Sequence, residues 1–407
     1  MKTFMRWSAC LTLSVISILD IQAQQSTPPA PPESEVRAEI AGTEALLPKL
    51  ADRGAALYLM ATDYATLGDT TKALRLLKEC IDLEEGFDPS EDPAFAKMRA
   101  NPEFRALAER VARRFPAVHQ ARLVFTVPEK ELIPEGLAAD ATGQVFYMSS
   151  LNLRKVVQVK GGVATDFVKA GVYGLLPVIG LKIDPKDGGL WADTGTDSDG
   201  QSELVHFDAA GKLVNRWRPP TAGKHLFNDL VLRGEREIYL TDSFANVAYR
   251  FDRQTHTFTA LPMSRALYYP NGITLSGDGN QLFVADAFGV LRYDLRDGSS
   301  SQVQPGRGVT LAGVDGMYWD RGWLVLVQNG IGLPRVARFQ LSADGTHVTT
   351  AQILEYRSDF VELPTTGTIV QGKFYFICNT QVDNLKNEKV VDPSKLRPVR
   401  VAAVELE

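Results

Sequence analysis

Six short segments of the chain align on one column that reads Glu, Ile, Asn, Asn, Asp, Thr. They are Pro134-Glu135-Gly136-Leu137, Ile179-Gly180-Leu181, Asn228-Asp229-Leu230, Pro270-Asn271-Gly272-Ile273, Asp315-Gly316-Met317 and Thr366-Gly367-Thr368. Subtracting positions gives spacings of 44, 49, 43, 44 and 51 residues. Each segment runs into a short apolar stretch that reads as a strand. Recurrence at roughly 40–50 residues with several strands per unit predicts a β-propeller, and six repeats predict six blades. The innermost strands of a propeller start around one central channel, so the column becomes a ring of facing side chains. Four members, Glu135, Asn228, Asn271 and Asp315, offer oxygen donors to a hard metal ion.

The rest of residues 121–407 fits that reading. Second strands are expected at Val145–Met148, Gly189–Ala192, Glu237–Leu240, Gln281–Val284, Trp323–Leu326 and Lys373–Phe376. Third strands follow at Val156–Val159, Leu204–Phe207, Val247–Phe251, Val290–Tyr293, Val336–Phe339 and Val399–Val404. Arg122–Val127 precedes the first inner strand and is expected as the outermost strand of the last blade, which would join the chain ends and remove an exposed edge.

The N-terminal part is different in kind. Lys2 and Arg6 precede the apolar run Cys10–Leu19, and Ala23 offers a cleavage point. Residues 1–23 therefore read as a signal peptide, too short in its apolar part to span a membrane, and imply a periplasmic or secreted protein. Residues 24–35 form a Pro-rich linker expected to be extended. Residues 36–116 read as a small helical domain. Two amphipathic helices flank Leu67-Gly68-Asp69, where Gly68 suits a left-handed cap, and a third helix is expected near Pro102–Phe115. Ala61, Tyr64, Gly68, Ala73 and Cys80 fall where a tetratricopeptide repeat places small, aromatic and turn residues. One such repeat cannot bury both faces alone. It must lean on the later helix, on the propeller or on a protein partner.

Lys and Arg total 44 against 49 Asp and Glu, a net charge of -5 with no basic block, so a nucleic-acid partner has no electrostatic support. Beyond Cys10, Cys80 and Cys378 sit in different predicted domains and make no disulfide framework or zinc spacing. They read as buried thiols.

The ring carries the chemistry. Two carboxylates balance a divalent cation, and two amide oxygens add ligands without excess charge. Oxygen-only ligation selects Ca²⁺ first, then Mg²⁺, with Mn²⁺ or Zn²⁺ as further possibilities. Four protein oxygens fall below calcium's usual six to eight, which leaves a face for water or substrate, as a Lewis-acid catalyst requires. The plain alternative is that Asn-Gly and Asp-Gly are ordinary turn pairs. Asp193, Asp242 and Asp286, at second-strand ends, are expected to cap turns. Tyr268 and Tyr269 could wall the pocket mouth. No Gly-x-Ser-x-Gly elbow, P-loop or dinucleotide fingerprint is present.

Glu135-Gly136, Asn228-Asp229, Pro270-Asn271-Gly272 with the downstream strand Leu282-Phe283-Val284-Ala285-Asp286, and Asp315-Gly316 together resemble the senescence marker protein/gluconolactonase (regucalcin-like) family, and more distantly the paraoxonases. The resemblance covers about 280 residues. It implies a six-bladed propeller with a divalent metal held by Glu135, Asn228, Asn271 and Asp315, and a proton-shuttling role for Asp315. Sugar-lactonase members carry an Arg two residues before the first Asn, where this chain has Leu226, so a less polar ligand is implied. His225 beside it could act as a base or hydrogen-bond donor, or be a surface-loop histidine. The sequence thus points to an exported metal-dependent hydrolase of a lactone or related ester acting on a small-molecule substrate. The alternative is a non-catalytic ligand- or protein-binding propeller with a structural Ca²⁺.

Overall fold

The computed structural model describes residues 32–407. The predicted signal peptide, and all of the linker before Pro32, lie outside the described residues. From residue 137 onward the chain forms six sheets in succession, each with neighbouring strands antiparallel: residues 137–168, 178–217, 227–260, 273–302, 314–356 and 367–405, here blades one to six. All expected second and third strands are present. The apolar positions of adjacent blades interlock as separate clusters around the ring, for instance Leu204, Phe227, Leu240 and Phe251 between blades two and three.

Two N-terminal strands complete the sheets. Strand β2 (Arg122–Val127) pairs antiparallel with Val399–Glu405, from Arg122 opposite Ala403 to Val127 opposite Val399, so the ring closes by joining its two ends. Strand β1 (Val118–His119) adds a fifth strand to blade five, against Glu355 and Tyr356, which the repeat pattern does not reveal.

Four helices precede the propeller: α1 (Glu33–Leu46), α2 (Gly54–Thr66), α3 (Thr70–Asp82) and α4 (Pro102–Arg114). Helix α1 begins inside the segment expected to be extended. Glu33 and Glu35 stand in its first turn behind Pro32, where the helix dipole favours acids. Gly68 takes φ +78° at the α2–α3 turn, and Asp69 caps α3 by accepting from Lys72 N. Helix α3 buries one face, Ala73, Leu74, Leu77, Cys80 and Ile81, as its pattern dictates. Helix α2 is buried from Gly54 to Asp63, because it lies between α3 and the propeller.

That packing replaces the expected tetratricopeptide arrangement. The second face of the hairpin rests on Ala287, Phe288, Ala312 and Ile331 of blades four and five, in one continuous apolar cluster, and not on another repeat. Polar contacts fix the same interface. Asp88 bridges to Gly332 and accepts from Tyr356 Oη at 2.8 Å and from Arg357. Asp52 accepts from Thr310 Oγ1 at 2.7 Å and Leu311 N at 2.8 Å. Cys80 and Cys378 are buried free thiols.

Candidate metal centre

Strand direction decides which end of the channel matters. Inner strands run away from one end of the propeller, and the loops entering them share that end with the loops between second and third strands. The ring column and the helix-covered loops 286–289, 303–313 and 329–334 therefore lie at the same end. Each ring residue is aimed by its approach segment. The residue two positions earlier accepts a backbone N–H from the top of its own blade in four blades: Ile133 from Leu151 (3.2 Å), Pro177 from Gly195 (2.9 Å), Leu226 from Ser243 (2.9 Å) and Gly313 from Gly330 (3.0 Å). Three of the four candidate ligands also follow a left-handed residue at that position: Ile133 (φ +45°), Tyr269 (φ +51°) and Gly313 (φ +63°).

The glycines after the ring residues are not turn glycines. Gly136, Gly180, Gly272, Gly316 and Gly367 are absent from the positive-φ residues, and a Cβ on any of them would meet neighbouring backbone. On Gly272 it would stand 2.5 Å from Asp315 O, and on Gly180 2.9 Å from Asn228 O. They let inner strands crowd the axis, which disposes of the turn-pair reading.

Side chains of the ring meet as follows. Asn271 Nδ2 donates to Asp315 Oδ1 at 3.0 Å, and Asn271 Oδ1 is buried with no hydrogen-bond partner. Asn329 Nδ2 donates to Asp315 Oδ2 at 2.6 Å. Asn228 Nδ2 donates to Ser243 Oγ at 2.9 Å, and Ser243 in turn donates to Pro270 O at 2.7 Å. Thr380 Oγ1 lies 3.4 Å from Glu135 Oε2, and Thr366, the sixth member of the column, donates to Glu135 O. Burial, reinforced by Asp315 and then by Asp197, holds the Glu135 carboxyl well above the usual range. Burial lifts Asp315 to about 6, against the opposing pull of the Asn329 and Asn271 amides. An orphaned amide oxygen beside two mutually repelling buried carboxyls is a donor set that a hard divalent cation would satisfy.

Beneath the ring the channel is blocked. Lys182 of blade two and Tyr318 of blade five stand three residues beyond their ring positions on opposite blades. Lys182 Nζ bonds Asp229 Oδ1 at 2.8 Å and lies 5.7 Å from the Tyr318 ring centre.

His225 is not a surface histidine. It is 5% exposed, with Nδ1 2.6 Å from Asp242 Oδ2 and Nε2 3.0 Å from Thr221 O, so both ring nitrogens are engaged. No contact joins it to Glu135, Asn271 or Asp315 among the described residues. Asp242 and Asp286 cap as expected, accepting from Leu226 and Ala245 N–H and from Tyr268 and Phe288 N–H respectively. Asp193 corrects the expectation: it is fully buried and both its oxygens lack partners. Tyr268 stacks on Phe288 (4.9 Å) within the helix-covered cluster, while Tyr269 faces Phe244 at 6.3 Å. Asn329, Thr380 and Asp193 escaped the sequence reading because they sit at second-strand ends, where no repeated residue type marks them. An Asn-Gly pair at Asn329-Gly330 was the one visible signal.

No protein-family model and no curated protein matches the chain. Among solved structures it is similar to a gluconolactonase from Xanthomonas campestris, with 18% identity, a TM-score of 0.50 and coverage of 71% of this chain and 91% of that one. It is also similar to a PQQ-bound aldose sugar dehydrogenase from Streptomyces coelicolor (14%, TM-score 0.49, 70% and 100% covered) and to virginiamycin B lyase from Staphylococcus aureus (14%, TM-score 0.47, 63% and 80% covered). At such identities the first likeness shows the propeller fold alone, and the other two carry no argument. Function must come from the site.

Proposed function

We propose that the chain is a divalent-cation-dependent hydrolase of a lactone or related ester, with Ca²⁺ the preferred ion. The observation that carries this reading is the Asn271–Asp315 hydrogen bond beside an unpartnered, buried Asn271 Oδ1, in one ring with Glu135 and Asn228. Those four residues would hold the ion, which supplies Lewis-acid polarisation of an ester carbonyl when bound. Asp315, kept in one orientation by the Asn329 and Asn271 amides, takes a proton from the attacking water and returns it to the leaving alkoxide. The Lys182–Asp229 pair closes the channel below, so substrate enters from the helix-bearing end. Leu226 is 5% exposed and the Phe244–Tyr269 pair is half-buried, which supports an ester with an apolar portion over a free sugar lactone. His225 holds its loop to Asp242. The signal-like residues 1–23 support export, and no described helix is long and apolar enough to cross a membrane.

Asp315→Ala tested on a panel of aliphatic and sugar lactones decides the catalytic role. Loss of about 10²–10⁴ in kcat is expected for a general base, and wild-type turnover removes Asp315 from the mechanism. A second reading, a binding propeller with a structural ion, draws on the absence of any free histidine nitrogen at the ring. Strong calcium stabilisation with no turnover of any ester would favour it.

A further inference from the structure

Carboxyl groups line the channel from mouth to floor. At the mouth, the blade-six excursion 378–398 carries a small hairpin, Leu385–Lys386 paired with Lys389–Val390, whose tip residues Asn387 and Glu388 are left-handed. Glu388 accepts from Arg154 Nη2 of blade one at 2.9 Å and from Ser198 Oγ of blade two at 2.6 Å, and Lys224 Nζ donates to Ser198 O at 3.1 Å. Loops of four blades are thus gathered at one point. Asp197, next to Ser198, is exposed and adds its negative field to Glu135 below. The root of the same excursion, Thr380, reaches Glu135 Oε2. Below Glu135 and Asp315 come Asp229 and Asp193. The lowest of these signals an unmet need for positive charge or donors, since Asp193 is fully buried with both oxygens unpartnered.

The cations brought in by these contacts are Arg154, Lys224 and Lys182, three against the six carboxyls Glu388, Asp197, Glu135, Asp315, Asp229 and Asp193. With every carboxyl ionised the excess is three negative charges, and a divalent ion in the ring still leaves one. Charge lining a narrow, low-dielectric cleft focuses its field along the axis and sorts approaching molecules by sign.

We propose that this column of carboxyls is a charge filter: it draws divalent cations down to the ring and admits neutral or cationic esters while rejecting anionic ones. The substrate half rests on the ester-hydrolase reading; the cation half stands without it. Two measurements test it. The first follows association of Tb³⁺ by its luminescence, in wild type and Asp197→Asn, at low and high NaCl. The filter predicts a wild-type rate that falls steeply with salt, and a several-fold slower, less salt-sensitive rate in D197N. A wild-type rate indifferent to salt overturns the proposal with no variant needed, and so does an unchanged rate in D197N. The second compares kcat/KM for a neutral ester and its carboxylate-bearing counterpart. A preference of at least about tenfold for the neutral ester is expected, narrowed by D197N or by salt. Equal rates for the two esters overturn the substrate half. If neither ester reacts while Tb³⁺ loading behaves as stated, the ester reading fails and the cation filter stands.

Discussion

At the scale of single residues, the channel is built by backbone constraints as much as by ligands. Ile133 is β-branched, fully buried and left-handed, a conformation that costs about 1–2 kcal/mol relative to the right-handed regions. It persists because Leu151 N–H and the surrounding core fix it two residues ahead of Glu135, and strain of that kind gathers where a side chain must be aimed. Gly313 at the equivalent position could be noticed in the sequence; the strain at Ile133 and Tyr269 could not, since neither residue type announces φ > 0. The ring itself was legible, because six blades repeat it. The function of the following glycines was not, since close approach between strands leaves the same letters as a turn. Gly272→Ala tests that distinction. Its Cβ would lie 2.5 Å from Asp315 O and 2.9 Å from Met317 N, backbone atoms that cannot swing aside. A loss of about 3 kcal/mol in urea unfolding is expected. Gly42→Ala in α1, with nothing within 4 Å of the new Cβ, should instead gain about 0.5–1 kcal/mol.

At the scale of elements, the junction between helices and blade five contains a buried ionisable cluster that no motif announces. Asp52, Glu85 and Arg335 come from segments far apart in the chain, and only the packing of α2 and the turn after α3 onto the propeller brings them together. Glu85 Oε2 and Asp52 Oδ1 are buried without partners. Burial first, then the neighbouring Asp52, pushes the Glu85 carboxyl up to about 9, with Arg335 opposing; burial likewise lifts Asp52 to about 6 and lowers Arg335 to about 10. Folded Glu85 therefore keeps a proton that the unfolded chain releases. Its contribution to stability is complete below pH 4.5 and is lost as pH rises toward about 9. The melting temperature should decline between pH 6 and 9, and Glu85→Gln should flatten that decline. An unchanged slope in E85Q would place the titrating group elsewhere. The strands, by contrast, follow period-two patterns and turn signals closely enough for the closure through β2 to be read in advance. Strand β1 was missed because two residues carry no periodicity.

At the scale of the whole molecule, the helices read as a separate domain in sequence because the period changes from two to 3.6 near residue 120. Packing gives a different picture. Residues from α2, α3 and α4 share one apolar cluster with Ala287, Phe288, Ala312 and Ile331, and Asp88 and Asp52 each spend both kinds of polar contact, backbone and side chain, on the propeller. Separating the layers would expose that cluster and strand buried carboxyls, so neither part should melt alone. The chain supplies two independent reporters. Its described tryptophans, Trp191, Trp217, Trp319 and Trp323, all lie in the propeller, whereas the 222 nm circular dichroism comes chiefly from α1–α4. Thermal unfolding followed by the two signals should give coincident midpoints, and calcium should raise both together, by about 2.7 kcal/mol at a concentration 100 times Kd. Helical signal lost several degrees before fluorescence would show that the interface is too weak to couple the layers. A calcium shift seen in fluorescence alone would confine the ion's effect to the propeller and detach the helical layer from the ring it overhangs.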